Sequence, residues 1–238
     1  MFITKEEIGS TDLLFLTLCE MPTERDPLFE QICASDRTVL LLPHLSSDGE
    51  LRLLPKEAGR AYLPEALLLC AKHLLVRRGL PLDELSFVYG NARYRITHAN
   101  STIFLTFPIA KGQFTKQTVS LSDCTADVYL TQNDGGYDAV FLCDDLCPLD
   151  MELLWRLCRA FTPSLSQVLA LSVSDGTLHL CRSDGKTSGG ASLCDTLRVL
   201  SLCRSLGRRL PELSLAGYDG LCVSLVSTLE GRFSYCYS

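Results

Sequence analysis

The stretches GLPLDELSF (residues 79–87) and GRRLPELSL (residues 207–215) read as two copies of one unit. They lie 207 − 79 = 128 residues apart, and at this offset Glu84-Leu85-Ser86 falls on Glu212-Leu213-Ser214. Each follows an apolar helical run and precedes short strand-like segments. A repeat of this period predicts two similar domains, with a site where the two face each other.

The bulk composition fits that division. A chain of 238 residues is long enough for two compact domains of roughly 100–150 residues. Hydrophobic residues make up 47% and charged residues 21%, enough apolar side chains for a full core in each. The net charge of −6 argues against a nucleic-acid partner, because no Lys/Arg-rich face is available to balance phosphates. Arg77-Arg78 and Arg208-Arg209 follow helical runs, where cations complement the C-terminal dipole.

Twelve cysteines are many for this length, yet they sit singly inside apolar runs, as Cys70, Cys158, Cys203 and Cys222 do. That is the pattern of buried thiols in a reducing compartment. The opening MFITKEEIGS lacks the apolar core of a signal peptide, and no run approaches the ~20 apolar residues of a membrane span. The expected location is therefore the cytoplasm, with no membrane partner. Cys143 and Cys147 form the only close cysteine pair, without a second pair or a nearby histidine, so no metal site is expected.

Along the first half, an extended start leads to LLFLTL from Leu13, a helix over residues 26–34, and strands at 39–42 and 51–54. A strongly apolar helix over 64–77 follows, then three alternating segments, LSFVY, ARYRIT and TIFLTF. The second half repeats the order: strands at 118–121, 127–130 and 138–142, a helix over 149–161, strands at 168–173 and 178–181, and a helix from Ser192 to Leu206. LCVSLV and RFSYCY close the chain. The polar stretch 110–116 is the predicted linker, giving domains at 1–112 and 113–238, with the last strands able to pack back on the first domain.

Both central helices, EALLLCAKHLLV and LCDTLRVLSLC, are apolar on nearly every face. Such a helix must be enclosed rather than laid on a surface. The expected fold class is α+β, with two similar domains, each of β-strands wrapped around a central buried helix.

Two such domains resemble the diaminopimelate epimerase family. The most specific match is LRLLPKEAGRAYLPEALLLCAKHLLVRRG (residues 51–79), which is similar to that family's strand, Asn-Ala-Asp-Gly-like turn, Cys-Gly-Asn-Gly helix start and helix ending in Arg-Gly. GSTDLLF (residues 9–15) looks like the amino-terminal Gly-Asn-Asp-Phe, and SDGKTSGGASLCDT (residues 183–196) like the second loop, Gly-Glu-Thr…Cys-Gly-Ser-Gly. The resemblance implies two cysteines, one at the start of each central helix, where backbone N–H groups and the helix dipole favour thiolate. One thiolate would remove an α-proton while the opposite thiol delivers another, and the helix starts would bind the substrate carboxylate.

The chain departs from that pattern at both thiols. The first cysteine's place is held by Pro64, followed by Glu65-Ala66-Leu67, and the offset of 128 carries Pro64 to Ser192, or to Gly190 with a shift of two. The motif asparagine is Thr11, and the Asn-Pro-His turn of the second domain reads Gly136-Tyr137-Asp138. Pro64 suits a first helical turn and Ser192 is a good N-cap, worth on the order of 1 kcal/mol. Neither can perform thiolate chemistry, so no catalytic cysteine pair is expected.

Other groups stand near these helix starts in sequence. Glu57, Glu65, Asp138 and Asp184 are candidate general bases if burial raises their pKa, with solvated loop acids as the plainer reading. Lys186 could meet an anion or be an ordinary solvated lysine, Cys70 reads as a packing residue, Cys194 follows the second helix start by two residues, and Cys181 could face the cleft as a single thiol without a partner. Ser188-Gly189-Gly190-Ala191-Ser192 reads either as a nest of open backbone N–H groups for an anion or as an ordinary glycine-rich turn. The expected function is a cofactor-independent, binding or regulatory relative of the epimerases. It would hold a small anionic or amino-acid ligand through Thr11, Ser188, Gly189, Gly190, Ala191 and Ser192. The alternatives are an amino-acid isomerase using non-cysteine residues of the interdomain cleft, and a scaffold whose cleft is filled by Tyr62, Leu63 and Leu67. The exposed strand faces are too irregular to specify a dimer edge.

Overall fold

A computed structural model describes residues 2–8, 11–17, 44–45, 51–52, 63–72, 75, 84–89, 92–109, 111–120, 125–133, 135–143, 150–227 and 229–237. The expected helix at 26–34, the strand at 39–42, and Glu57 and Tyr62 lie outside the described residues. The chain divides into two compact units, Met1–Pro108 with Gly217–Ser238, and Ile109–Ala216.

In the first unit, β1 (Phe2–Ile8) and β2 (Thr11–Thr17) form an antiparallel pair. A second sheet runs in the order β3 (His44–Leu45), β4 (Leu51–Arg52), β5 (Glu84–Tyr89), β6 (Ala92–Ala99), β7 (Thr102–Pro108), β16 (Glu230–Cys236), β15 (Leu221–Leu225). β16 pairs antiparallel with β7 from Thr102↔Cys236 to Pro108↔Glu230, so the last two strands continue the first unit's sheet. Helix α1 (Leu63–Lys72) lies between β4 and β5 in sequence, and those two strands pair in parallel. Every residue of α1 from Leu63 to Ala71 is buried, Glu65 included, as a helix otherwise apolar on nearly every face requires. The helix packs against β1, β2 and β7.

The second unit's sheet runs β14 (Leu213–Leu215), β12 (Thr177–Ser183), β11 (Leu165–Ser174), β10 (Gly136–Leu142), β9 (Thr125–Asn133), β8 (Thr115–Ser120), with β13 (Ser188–Gly190) also on β12. Helix α2 (Met151–Phe161) connects the parallel strands β10 and β11. Asp150 caps it by accepting the N–H groups of Glu152 and Leu153, both at 3.0 Å. Met151, Leu154 and Cys158, at i, i+3 and i+7, turn inward, while Glu152 and Arg156 pair outside. The inward stripe packs with Val128, Leu130, Ala139, Phe141, Val168 and Ala170 in one core.

Helix α3 (Leu193–Ser205) joins β13 to β14, and β14 pairs in parallel with β12. Thus each unit has a parallel strand pair whose connection contains its central helix, β4 and β5 around α1, and β12 and β14 around β13 and α3. Gly207, which opens the repeated stretch, adopts φ +66° just past α3. There the Arg208 N–H bonds Cys203 O at 2.8 Å and the Gly207 N–H bonds Arg204 O at 3.0 Å. A residue with φ in this region closes a helix most cheaply as glycine.

Candidate functional site

Period-two alternation separates the two faces of the second unit's sheet. Ala139 and Phe141 on β10, and Val168 and Ala170 on β11, face α2. Asp138 and Gln167, register partners across those strands, therefore lie on the opposite face. The register shifts between Tyr137 and Asp138, an irregularity of the kind that re-aims a side chain at a strand's beginning. Asp138 and Gln167 are both buried.

The start of α3 meets this polar pair. Arg198 sets Nε 2.8 Å from Asp138 Oδ2, an ion pair without an aligned hydrogen bond, and Nη1 2.7 Å from Asp195 Oδ1. Gln167 donates to Asp195 Oδ1 at 3.1 Å, and Asn133 at the end of β9 donates to Asp138 Oδ1 at 2.6 Å. The Asn133 amide is itself oriented, since its oxygen accepts the Gly135 N–H at 2.8 Å. Burial pushes the Asp138 carboxyl above the usual carboxylate range and the nearby Asp195 charge adds to this, while the Arg198 charge and bonds from Asn133 and Gln167 pull it back.

Ser192 is the N-cap of α3. Its hydroxyl accepts the Asp195 N–H at 3.2 Å, and Asp195 Oδ2 accepts the Ser192 hydroxyl at 2.9 Å and the Ser192 N–H at 3.0 Å. This is a reciprocal capping box with aspartate in the third helical position. The serine is thus engaged by the helix's own carboxylate. Ser192→Ala is expected to lower stability by about 1 kcal/mol, read from urea unfolding, because the Asp195 N–H loses its acceptor.

The segment 188–190 expected as a loop is instead strand β13, antiparallel to β12 with Cys181↔Gly190, Arg182↔Gly189 and Ser183↔Ser188. The turn before it is built by Asp184, whose Oδ1 accepts Lys186 N–H at 2.9 Å and Thr187 N–H at 2.8 Å. Those bonds, Thr187 first, hold its carboxyl below the usual range, so Asp184 serves the turn rather than the start of α3. Gly185 takes φ +79° beneath Trp155, where a Cβ would lie 2.5 Å from the indole. The Ala191 N–H bonds Leu180 O at 3.4 Å and the Asp184 N–H bonds Thr187 O at 3.2 Å. Alternation then turns the N–H of Gly189 toward β12 and those of Ser188 and Gly190 away from it. Gly189 and Gly190 are exposed, with nothing within 4 Å of a Cβ placed on either. Lys186 is exposed as well.

In the first unit, Pro64 lies inside the first turn of α1, whereas Ser192 precedes α3; the helix starts differ by 193 − 63 = 130 residues, two more than the repeat. On that footing Glu65 and Asp195 are equivalent, each third in its helix. Glu65 is fully buried, and the Tyr218 hydroxyl donates to its Oε1 at 3.4 Å. The backbone of Thr11 opens β2, and its side chain lies outside the described residues. Burial drives the Cys70 thiol up to about 12 and also raises Cys181, the reverse of thiolate activation. Among the described residues, no group of three or more His, Cys, Asp or Glu side chains is placed to hold a metal ion, and no helix is long and apolar enough to cross a membrane.

Asp195, Arg198, Gln167 and Asn133 belong to the site in addition to the residues expected from the sequence. Ser192 with an acid three residues on is a legible capping box; the other three become visible only when the strands and α3 are brought together.

No protein-family model and no curated protein sequence matches the chain. Among solved structures, it is similar to a phenazine biosynthesis protein of the PhzF family from Enterococcus faecalis, with a TM-score of 0.61 at 12% identity over 96% of this chain and 90% of that one. It is also similar to a protein assigned as phenazine biosynthesis PhzC/PhzF from Clostridium difficile (strain 630), with a TM-score of 0.59 at 11% identity over 95% and 89%. These neighbours share the diaminopimelate epimerase-like fold, and at that coarse level the sheet-dominated α/β architecture of this chain is the same.

Proposed function

We propose that this protein is a divergent relative of the epimerases that works without two-thiol chemistry, as a cytoplasmic small-ligand-binding or regulatory protein. The observation that carries the reading is the use made of the two expected thiol positions. Pro64 is a buried first-turn residue without a titratable group, and both the hydroxyl and the N–H of Ser192 are committed to Asp195. The repeat and the parallel strand–helix–strand arrangement in each unit support two copies of one kind of domain, read from sequence at 1–112 and 113–238.

A small anionic or amino-acid ligand would be held by the outward N–H groups of Ser188 and Gly190, with Gly189 and Ala191 shaping the edge and Ser192 fixing the adjoining helix start. No cofactor is required for such binding. Incubation with a broad amino-acid panel in heavy water should give no α-proton exchange above background. A thermal shift with some amino acid or small carboxylate should be present in the wild type and lost in Gly190→Val, which has open space for its side chain. Exchange would overturn the loss of isomerase chemistry; an unaltered shift in Gly190→Val would overturn the placement of the ligand.

A second reading, an amino-acid isomerase using carboxylates, is favoured by the raised Asp138 carboxyl beside α3. Exchange abolished by Asp138→Asn would support it. The full burial of Asp138 and its engagement by Asn133 and Arg198 favour a structural role instead.

A further inference from the structure

The polar cluster on the α3 side of the second unit's sheet carries an unbalanced charge. Two carboxylates, Asp138 and Asp195, share one guanidinium, Arg198, and their side chains are only 1% and 3% exposed, against 38% for Arg198. The groups facing Asp138 are Asn133 from β9, Gln167 from β11, and Asp195 and Arg198 from α3. Two of these are neutral, one is a like charge and one is opposite. With both acids ionised the cluster holds a net charge of −1 in a place where solvent can screen little of it. Neutral amide donors satisfy oxygens but add no countercharge. One added proton brings the charge to zero without breaking the Asp195–Arg198 pair or the capping box.

We propose that the Asp138–Arg198–Asp195 cluster is a proton-operated latch on the start of α3, tightened by uptake of one proton at Asp138. The proton goes to Asp138 rather than Asp195 because Asp195 Oδ2 is held by the Ser192 hydroxyl and N–H, and Oδ1 by Gln167 and Arg198. Asp138 has fewer directed bonds, and its Oδ2 receives none. With Asp138 neutral, its repulsion with Asp195 across the contact between β10 and α3 is relieved, while Arg198 stays on Asp195 and Gln167 keeps the start of α3 bonded to β11. The raised carboxyl is in accord with this geometry.

The direction of the effect follows from linkage. The folded state binds the proton at a pH where the unfolded chain, near the ordinary value of 3.8, does not. Stability from this group is therefore present in acid and lost as pH rises through the folded value. This runs opposite to the usual behaviour of a salt-bridged aspartate.

The test compares wild type with Asp138→Asn, an uncharged isostere of the protonated acid, in thermal unfolding from mildly alkaline pH down toward 3.8. The wild type should gain Tm relative to the variant as pH falls, by about 3–5 °C for each pH unit by which the carboxyl is displaced in a chain of this length. Amide hydrogen exchange at Asp195 and Thr196, corrected for intrinsic rate, should slow over the same range in wild type only. A Tm difference that is flat, or that moves the other way, overturns the proposal. Should Asp138→Asn not fold, the carboxyl carbon of Asp138 is titrated by NMR in the wild type. A midpoint above the usual carboxylate range that coincides with the slowing at Asp195 and Thr196 supports the latch. A lower midpoint, or one without that slowing, overturns it.

Discussion

Arg198→Met is expected to lower the stability of the second unit by about 3 kcal/mol, measured by urea unfolding at neutral pH. Removing one member of a buried charged group leaves the others uncompensated, which costs about 3–5 kcal/mol. The lower end applies because Arg198 is 38% exposed and part of its pairing is already screened by water. Methionine retains much of the aliphatic stem, so the loss reads the guanidinium rather than the packing. Asp138 would then lose the charge that draws its carboxyl down, and lowering the pH should restore part of the stability. In an Asp138→Asn background the same arginine replacement should cost clearly less, by a coupling of about 0.5–3 kcal/mol. Equal losses in the two backgrounds would show that Arg198 stabilises α3 without the Asp138 charge.

Phe141→Ala should have an equal or larger effect, about 3–5 kcal/mol, through a different cause. Phe141 is 1% exposed and belongs to the core that joins β10 and β11 to α2 through Ala139, Leu154, Cys158 and Val168. Its removal loses transfer energy and leaves a cavity, and a sheet buried on both faces has little freedom to collapse into it. The loss should be independent of pH, since no titratable group of the polar cluster is on that face. Denaturation curves at acid and neutral pH would separate this loss from that of Arg198→Met; a pH-dependent cost would show that the two faces of the sheet are coupled.

The elements were legible to different degrees for physical reasons. Strands read at residues 102–107 and 221–226 are β7 and β15, because alternating burial marks them in sequence. The helix from Ser192 was legible from its capping residue and its apolar length. The segment 188–190 reads as a loop in sequence because Ser-Gly-Gly has little strand propensity; its pairing to Cys181, Arg182 and Ser183 is supplied by the Asp184 turn and the hairpin. Asp184 follows the plainer of its two sequence readings, a loop acid, and only the N–H groups around it separate a turn-forming aspartate from a site aspartate.

The candidate site was legible at Ser192 and Asp138 but not as a constellation. Asp138 and Arg198 are 198 − 138 = 60 residues apart, Gln167 and Asp195 are 28 apart, and Glu65 and Tyr218 are 153 apart. No local periodicity predicts which polar side chains will meet across such separations. What the sequence determined by itself was the place of the two apolar helices, of strands such as β7 and β15, and the lack of thiols at Pro64 and Ser192, all properties of residue type and local period. Only the tertiary structure decided that Asp138 and Gln167 meet the start of α3, and that Arg198 is divided between two buried acids. Those outcomes depend on strand register and on the face each side chain takes, which are fixed when β9, β10 and β11 pair and the helix closes over them.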